Sequence, residues 1–199
     1  MDAYYTIARP GEAQYTEKRS RFLAFAVHAA DEEAVKAYVA ACRKQYYDAR
    51  HVCYAYAFGP DGATFRANDD GEPSGSAGKP ILGCLRSRNV TDTLVVVVRY
   101  FGGVKLGTGG LAVAYKTAAA AAIDAATIEQ RLVLEAFAVR VPYADADVAM
   151  RFVRDARAEI TARDYTDTEA VLTVSARLSL VAEVRARLAR IHTLTFVTA

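Results

Sequence analysis

The sequence predicts an α+β protein of two domains, a β-rich first domain and a ferredoxin-like second domain. The first domain is organised around Leu94–Val98, an uncharged, β-branched run that is typical of a strand buried on both faces. From Leu132 the pattern changes, and the remaining segments follow the order βαββαβ, which is that of a ferredoxin-like split sandwich. We therefore expect domains at residues 1–131 and 132–199.

The first half of the first domain shows strand-like alternation interrupted by one helix. Short alternating runs at Gln14–Lys18 and Arg21–Val27 predict a pair of strands. Asp31 is an N-cap candidate followed by two glutamates, so we expect a helix to begin there with an apolar face turned inward. The alternating segment His51–Phe58 predicts another strand, and the Gly-Pro-Asp-Gly run after it favours a tight turn.

Helices follow on both sides of the valine-rich strand. Pro80 favours a helix start, and we expect a short helix from there to about Arg88. The alanine-rich segment Thr108–Glu129 predicts a long helix that closes the domain. In the second domain we expect strands at residues 134–141, 160–165, 170–176 and 194–197 and helices at residues 144–158 and 181–191.

The charge balance does not by itself identify a class of binding partner. The chain has 25 basic and 23 acidic residues and a net charge of +2, which is too small to identify a nucleic-acid-binding protein. Any basic surface must therefore come from clustering. No run approaches the roughly 18 apolar residues of a membrane span. The beginning of the sequence lacks the pattern of a signal peptide, so we expect a cytoplasmic protein without a membrane partner.

The cysteines are three in number, at Cys42, Cys53 and Cys84. An odd number at these spacings fits neither a disulfide scaffold nor a zinc site. We expect buried free thiols, and the sequence implies no cofactor. The oligomeric state stays open.

The most distinctive segment of the chain is the glycine-rich turn that follows the valine-rich strand, which we call the second turn (residues 99–110). A turn between a buried strand and a helix offers backbone amides to an anion, and nearby cations add charge. The spacing matches neither a dinucleotide fingerprint nor a P-loop. The alternative is that the glycines only permit tight turns. The predicted anion-binding or nucleic-acid-binding residues are Lys79, Arg99, Gly102, Gly103, Lys105, Gly107, Thr108, Gly109 and Gly110.

A polar segment before the valine-rich strand, the first turn (residues 66–80), provides a second group of candidates. Its end is similar to a phosphate loop, but Pro73 stands where that motif has its first glycine. Lys79 beside the expected helix start either meets a phosphate or faces solvent. The supporting polar residues are His51, Asn68, Asp69, Asp70, Glu72, Ser74 and Ser76.

A metal site or a catalytic residue in the first turn has weaker support than anion binding. The carboxylates offer oxygen ligands to Mg²⁺ or Ca²⁺, but Asn and Asp also hydrogen-bond their own turn backbones, and we assign no metal. Ser74 or Ser76 as a nucleophile would need His51 as a base, and no nucleophile elbow surrounds either serine. His51 and Cys53 form either a thiolate pair or, the favoured alternative, a lone histidine beside a core cysteine. We assign no catalytic residue.

Three long motifs in the same order resemble those of the YigZ/IMPACT family. They are YYDARHVCYAY at residues 46–56, NDDGEPSGSAGKPIL at residues 68–82 and VVVVRYFGGVKLGTGGL at residues 95–111. The resemblance covers Arg19 to about Ala126. It implies that the first domain is a β-rich sandwich like the second domain of a small-subunit ribosomal protein (S-five). The tail is similar to the last domain of elongation factor G.

The resemblance also implies a role near translation. Eukaryotic relatives modulate the starvation kinase that stops translation initiation, and bacterial members are described as nucleic-acid or ribosome-associated proteins. We expect a non-enzymatic regulator that binds RNA, the ribosome or a translation factor, and the tyrosines and arginines of this region suit single-stranded nucleic acid. The alternatives are an enzyme that acts on a phosphorylated or anionic small molecule, and a protein-interaction module that regulates a stress-response partner.

Overall fold

The computed structural model describes residues 2–197. These residues form two compact units, which we treat separately. The larger unit spans Tyr4–Arg131, and the smaller one consists of residues 132–197 together with residues 2–3. Both units combine β-sheets with α-helices, so the mixed α and β architecture that the sequence predicts is confirmed at this level.

The larger unit is built on a five-stranded antiparallel sheet in the order β2-β3-β6-β4-β5. The central strand β6 contains the predicted valine run, whose side chains are fully buried because both faces of the sheet are covered. A separate pair of strands, β1 and β7, completes the unit. The strands are β1 (Ala3–Arg9), β2 (Gly11–Glu17), β3 (Ser20–His28), β4 (His51–Phe58), β5 (Thr64–Asn68), β6 (Thr93–Tyr100) and β7 (Thr127–Leu132).

Three helices cover the two faces of this sheet: α1 (Glu32–Gln45), α2 (Gly78–Ser87) and α3 (Gly107–Ala125). α1 packs on one face, where it meets the alternate β6 residues Leu94, Val96 and Val98. α2 and α3 pack on the opposite face, where Val95 and Val97 contribute to their core. Asp31 Oδ1 accepts a hydrogen bond from Ala34 N at 2.8 Å, which confirms the predicted N-cap of α1.

Helix boundaries differ from the sequence prediction in both units. In the smaller unit the two helices end at Asp155 and Leu188, not at residues 158 and 191 as predicted. α3 ends at Ala125, not at Glu129, because Thr127–Leu132 pairs with the distant strand β1. α2 begins at Gly78, two residues before Pro80, which lies in the first turn where a missing amide costs no helical hydrogen bond. Strands β1 and β5 were not predicted. For β5 the reason is that it is almost entirely exposed and shows no apolar alternation.

The smaller unit has the predicted element order βαββαβ. Its antiparallel sheet has the strand order β11-β8-β10-β9, and its core includes Val139, Leu172 and Leu188. Among residues 2–197, no helix is both long enough and apolar enough to cross a membrane. The elements are β8 (Leu134–Pro142), α4 (Tyr143–Asp155), β9 (Glu159–Tyr165), β10 (Glu169–Arg177), α5 (Val181–Leu188) and β11 (Thr195–Val197).

Candidate nucleic-acid interface

Glu72 joins the two glycine-rich turns. Its Oε1 accepts hydrogen bonds from Arg99 Nη1 at 2.6 Å and from the Tyr115 hydroxyl at 2.7 Å. Arg99 lies near the end of β6, where the second turn begins, and Tyr115 lies on α3, just after the turn. Burial raises the pKa of Tyr115, and the neighbouring Cys53 and Glu72 raise it further, so this hydroxyl stays protonated and donates. The first turn is therefore fastened to both elements that flank the second.

Arg99 does not lie where the sequence analysis expected it. It was predicted to contact an anion, but it is 5% exposed, and its partner Glu72 is 8% exposed. Position 99 continues the inward alternation of β6, which directs the guanidinium into the unit beside the ring of Phe22 at 5.5 Å. Among the described residues Arg99 Nε has no hydrogen-bond partner. The charge of Arg99 is thus compensated internally, and we leave it out of the proposed interface.

The backbone amides at the start of α2 already donate hydrogen bonds to a carboxylate of the same unit, that of Asp69. Asp69 Oδ1 accepts hydrogen bonds from Ala77 N at 2.9 Å and Gly78 N at 2.8 Å, while Oδ2 accepts one from Gly75 N at 2.8 Å. Burial raises the pKa of this carboxyl, but the three amides outweigh burial, and its pKa lies below the ordinary value. The amides that we considered for a phosphate beside Lys79 are therefore satisfied by Asp69. Lys79 itself is exposed, and its role stays a prediction.

Other polar residues of the first turn hold its backbone. Asn68 Oδ1 accepts a hydrogen bond from Asp70 N at 2.8 Å. Asp70 in turn accepts from Arg43 Nη2 at 2.5 Å and Val52 N at 2.6 Å, and its carbonyl lies 2.8 Å from His51 Nδ1. Such contacts are the turn-stabilising alternative to metal ligation. In residues 2–197 no group of three His, Cys, Asp or Glu side chains is placed to hold a metal ion.

The candidate nucleophiles are engaged or lack an activating partner. Ser76 is buried, and its hydroxyl donates to the Pro73 carbonyl at 2.6 Å, whereas Ser74 is exposed. The Cys53 thiol lies 3.0 Å from the Asp69 carbonyl, and burial raises its pKa, which favours the core-cysteine interpretation over a thiolate. All three cysteines are buried and free, as predicted: Cys42, Cys53 and Cys84.

The second turn, by contrast, is open to solvent. Gly103 and Gly107 adopt left-handed φ angles of 84° and 72°, and Lys105 and Thr108 are exposed. Within the part of the chain that the structure describes, no side chain caps the start of α3, and its first turn has no acidic residue. The first amides of α3 thus differ from those of α1 and α2, which have Asp31 and Asp69 as acceptors.

The sequence analysis missed two cations that lie against the second turn. Lys18 and Arg19 form the tip of the β2–β3 hairpin, with left-handed φ angles of 44° and 66°. A Cβ atom on Gly102 would lie 2.0 Å from the Arg19 carbonyl carbon, so the hairpin and the turn are in direct backbone contact. Gly102 N also donates to Ser20 Oγ at 3.1 Å. Clustered charge in the run Lys18-Arg19-Ser20-Arg21 was a local signal in the sequence. The sequence does not reveal that this run lies against the second turn, because Ser20 and Gly102 are 82 residues apart.

Four exposed cations therefore lie on or beside the second turn, and we call them the basic rim. One of them, Arg21, is paired across the strands with Tyr100 of the turn, and its guanidinium lies 4.7 Å from the centre of the Tyr100 ring. Two lie at the hairpin tip, one follows it on β3, and one lies in the turn. Among residues 2–197 none of the four forms an ion pair. The ring of Phe101 is 51% exposed in the same turn. The members of the basic rim are Lys18, Arg19, Arg21 and Lys105.

Comparison with known proteins identifies the family. Residues 18–123 match the model of the Impact N-terminal domain. The chain is 34% identical over 191 residues to the IMPACT family member YigZ of Escherichia coli (strain K12), which covers 95% of this chain and 93% of that relative. It is 42% identical over 115 residues to YvyE of Bacillus subtilis (strain 168), covering 58% of this chain and about half, 53%, of that relative. A crystal structure described as that of a hypothetical protein is similar over 100% of this chain and 98% of its own, with 33% identity and a TM-score of 0.73.

The fold and the site define a protein of mixed α and β structure with an open, basic glycine-rich turn on the larger unit. The chain belongs to the IMPACT family, as its three motifs had indicated. The segment matched by the family model contains both turns and the whole basic rim.

Proposed function

We propose that this protein is a non-catalytic, translation-associated regulator that binds RNA through the basic rim. The observation that carries the proposal is the set of four exposed cations, without ion-pair partners among residues 2–197, beside a helix start that no side chain caps in that part of the chain. Contacts of lysine, arginine and backbone amides with phosphates supply most of the affinity of nucleic-acid-binding proteins. The resemblance to relatives that act on translation initiation supports the same direction.

Phe101 adds a feature that phosphate binding alone does not need. A half-exposed aromatic ring beside cations is a typical platform for an unstacked base. Single-stranded RNA exposes such bases, whereas duplex RNA presents mainly phosphates and 2′-hydroxyls. The combination of Phe101 and the basic rim therefore favours single-stranded RNA as the partner.

The contacts in the first turn favour binding over catalysis. Asp69, Asp70 and Glu72 use their carboxylates to hold backbone amides or buried donors, and Ser76 donates to a carbonyl. Groups engaged in this way are not poised to activate a nucleophile or transfer a proton. An enzyme acting on a small anion at the second turn would need its acid or base from elsewhere.

The fold supports a place in the translation machinery by analogy. The βαββαβ order with the strand order β11-β8-β10-β9 is our basis for interpreting the smaller unit as a ferredoxin-like domain. The larger unit, by the resemblance, is a ribosomal-protein-like sandwich, and we treat residues 1–131 and 132–199 as the two domains. Since a fold does not fix a function, the site must be tested directly.

The test compares single variants of the basic rim with a matched control. Lys18→Ala, Arg19→Ala and Lys105→Ala each remove one cation, while Lys44→Ala removes an exposed lysine from α1, on the opposite face of the sheet. Binding of a fluorescent oligoribonucleotide of about 12 nucleotides is followed by polarisation. Each rim variant should bind several-fold more weakly, and Lys44→Ala should bind like the wild type. Lys79→Ala tests the remaining predicted cation.

Three outcomes would refute or redirect the proposal. Rim variants that bind RNA like the wild type would refute the basic rim as the interface. A wild-type protein that ignores RNA but binds inorganic phosphate or a small phosphorylated compound saturably would favour the enzyme alternative. A protein that binds neither would favour a regulatory protein partner, to be sought among ribosomal proteins and translation factors.

A further inference from the structure

A cleft of about 280 Å³ lies beside the basic rim, between the β2–β3 hairpin and the first turns of α3. Most of its wall is apolar or backbone, and two charged side chains lie at its edge. Val113, which lines the cleft from α3, is 61% exposed and so presents apolar surface to it. The cleft is lined by Tyr15, Glu17, Lys18, Leu106, Gly109, Gly110, Val113 and Ala114.

Gly109 lines this cleft with backbone alone. Among the five glycines of the second turn, Gly103 and Gly107 have left-handed φ angles, and a Cβ on Gly102 or Gly110 would press on a neighbour at 2.0 Å or 3.2 Å. Gly109 has neither constraint, since a Cβ there would meet nothing within 4 Å among the described residues. A glycine inside a helix costs about 1 kcal/mol relative to alanine, and here neither packing nor geometry requires it. Position 109 therefore has room for a side chain beside the other residues that line the cleft.

We propose that this cleft takes one unstacked base of the RNA strand whose phosphates lie on the basic rim. The inference rests on the proposed function and extends it to a base-binding pocket. The cleft is of a size for a flat ring, and the side chains of Tyr15, Leu106 and Val113 provide apolar surface for its faces. Lys18 belongs to both the cleft and the rim, so a nucleotide can place its base in one and its phosphate against the other.

The polar edge of the cleft predicts which bases bind best. Glu17 Oε2 accepts a hydrogen bond from the Tyr15 hydroxyl at 3.0 Å, and this contact, followed by burial, raises the pKa of Tyr15. The carboxylate at this edge is an acceptor, so it suits a base with an exocyclic amino group, as adenine and cytosine have. Uracil presents a carbonyl oxygen at the corresponding position, which the carboxylate repels. We therefore expect oligoadenylate to bind more tightly than oligouridylate.

The test fills the cleft without touching the cations. Gly109→Leu extends a side chain into the free space, and leucine is a better helix former than glycine, so the fold is retained. Gly83→Leu is the matched control, because Gly83 is an exposed interior residue of α2 whose Cβ would also meet nothing within 4 Å among residues 2–197. Single-stranded oligoadenylate should bind Gly109→Leu about tenfold more weakly. Duplex RNA, whose bases stay stacked, should bind both variants like the wild type.

A second readout separates this proposal from the proposed function. The dependence of log Kd on log salt should be the same in Gly109→Leu as in the wild type, because the substitution removes no charge and keeps the backbone amide of position 109. If Gly109→Leu binds oligoadenylate as the wild type does while the rim variants lose affinity, the base pocket is wrong and the RNA interface stands. If the wild type binds no RNA at low salt, both proposals are overturned together. Equal affinity for oligoadenylate and oligouridylate would refute the role of Glu17.

Discussion

Two carboxylates hold the first turn, and each does so with a different kind of partner. Glu72 neutralises the buried guanidinium of Arg99 and accepts a hydrogen bond from the buried Tyr115 hydroxyl, whereas Asp69 accepts hydrogen bonds from three backbone amides. The sequence marked both residues as part of a polar site. Their contacts show that they stabilise the turn, because each oxygen that they use faces a donor of the same unit. The same residue types in an open cleft would have been candidates for chemistry.

Replacing Glu72 by Gln should destabilise the fold strongly. Arg99 would then be buried without a counter-charge, which costs about 3 kcal/mol in the free energy of unfolding. Asp124→Asn is the control, since Asp124 pairs with Arg88 but its side chain is 62% exposed, and such pairs contribute about 1 kcal/mol or less. Urea unfolding at neutral pH measures both. Equal, small losses in the two variants would mean that the buried pair does not stabilise the turn.

Asp69 should make the stability of the protein depend on acid pH. Its pKa in the folded state lies below the ordinary value, so its stabilising effect is complete above the unfolded-state pKa and is lost as the pH falls through the folded-state pKa. Asp69→Asn should cost about 1–2 kcal/mol at about pH 7 and less at about pH 3, where the wild-type carboxyl is itself becoming protonated. Unfolding curves at both pH values test this. A loss that does not change with pH would contradict the role of the charge.

Among the elements, the contact between the β2–β3 hairpin and the second turn brings the basic rim together, on which the proposed interface depends. Gly102 allows the two backbones to touch, and the hairpin thereby brings Lys18 and Arg19 beside Lys105. Neither segment forms a basic surface alone. The open start of α3 adds amides that no side chain accepts within the described chain. The interface thus depends on the packing of two loops against each other.

Gly102→Ala should separate these two loops. The added Cβ would lie 2.0 Å from a backbone carbon of Arg19, and backbone cannot move aside cheaply. We expect a loss of about 2–3 kcal/mol in the free energy of unfolding, together with weaker RNA binding because the hairpin cations are displaced. Gly109→Ala, where space is free, should be neutral or stabilising by about 1 kcal/mol. Thermal unfolding and RNA polarisation are the measurements, and a Gly102→Ala protein with wild-type behaviour in both would contradict this packing.

The sequence predicted correctly those elements that are determined by residues close together in the chain. The valine run of β6, the Asp31 cap of α1 and the βαββαβ order follow from periodicity and capping chemistry. The first half of strand β7, Thr127–Glu129, was assigned to α3 because only the pairing of β7 with the distant β1 distinguishes it. Asp69 is eight and nine residues away from the amides of Ala77 and Gly78, outside any capping pattern. The hairpin cations of the basic rim likewise became visible only through the fold.

For the molecule as a whole, charge distribution matters more than charge total. The net charge is +2, yet four cations without ion-pair partners among residues 2–197 meet at one edge of the larger unit. Such a local positive field attracts a polyanion even when the overall charge is nearly balanced. Membership of the IMPACT family is shown, and RNA binding is the property that our account adds to it.

The salt dependence of RNA binding tests the central claim most directly. Polarisation titrations of a single-stranded oligoribonucleotide from about 50 to about 200 mM salt give log Kd against log salt, whose slope counts the phosphate contacts. Four rim cations on phosphates predict a slope of about 3 in magnitude, which should fall to about 1 in the variant that carries Lys18→Ala, Arg19→Ala and Lys105→Ala together, because Arg21 remains. A slope that stays the same in that variant, or wild-type binding that ignores salt, would contradict the basic rim as the RNA interface.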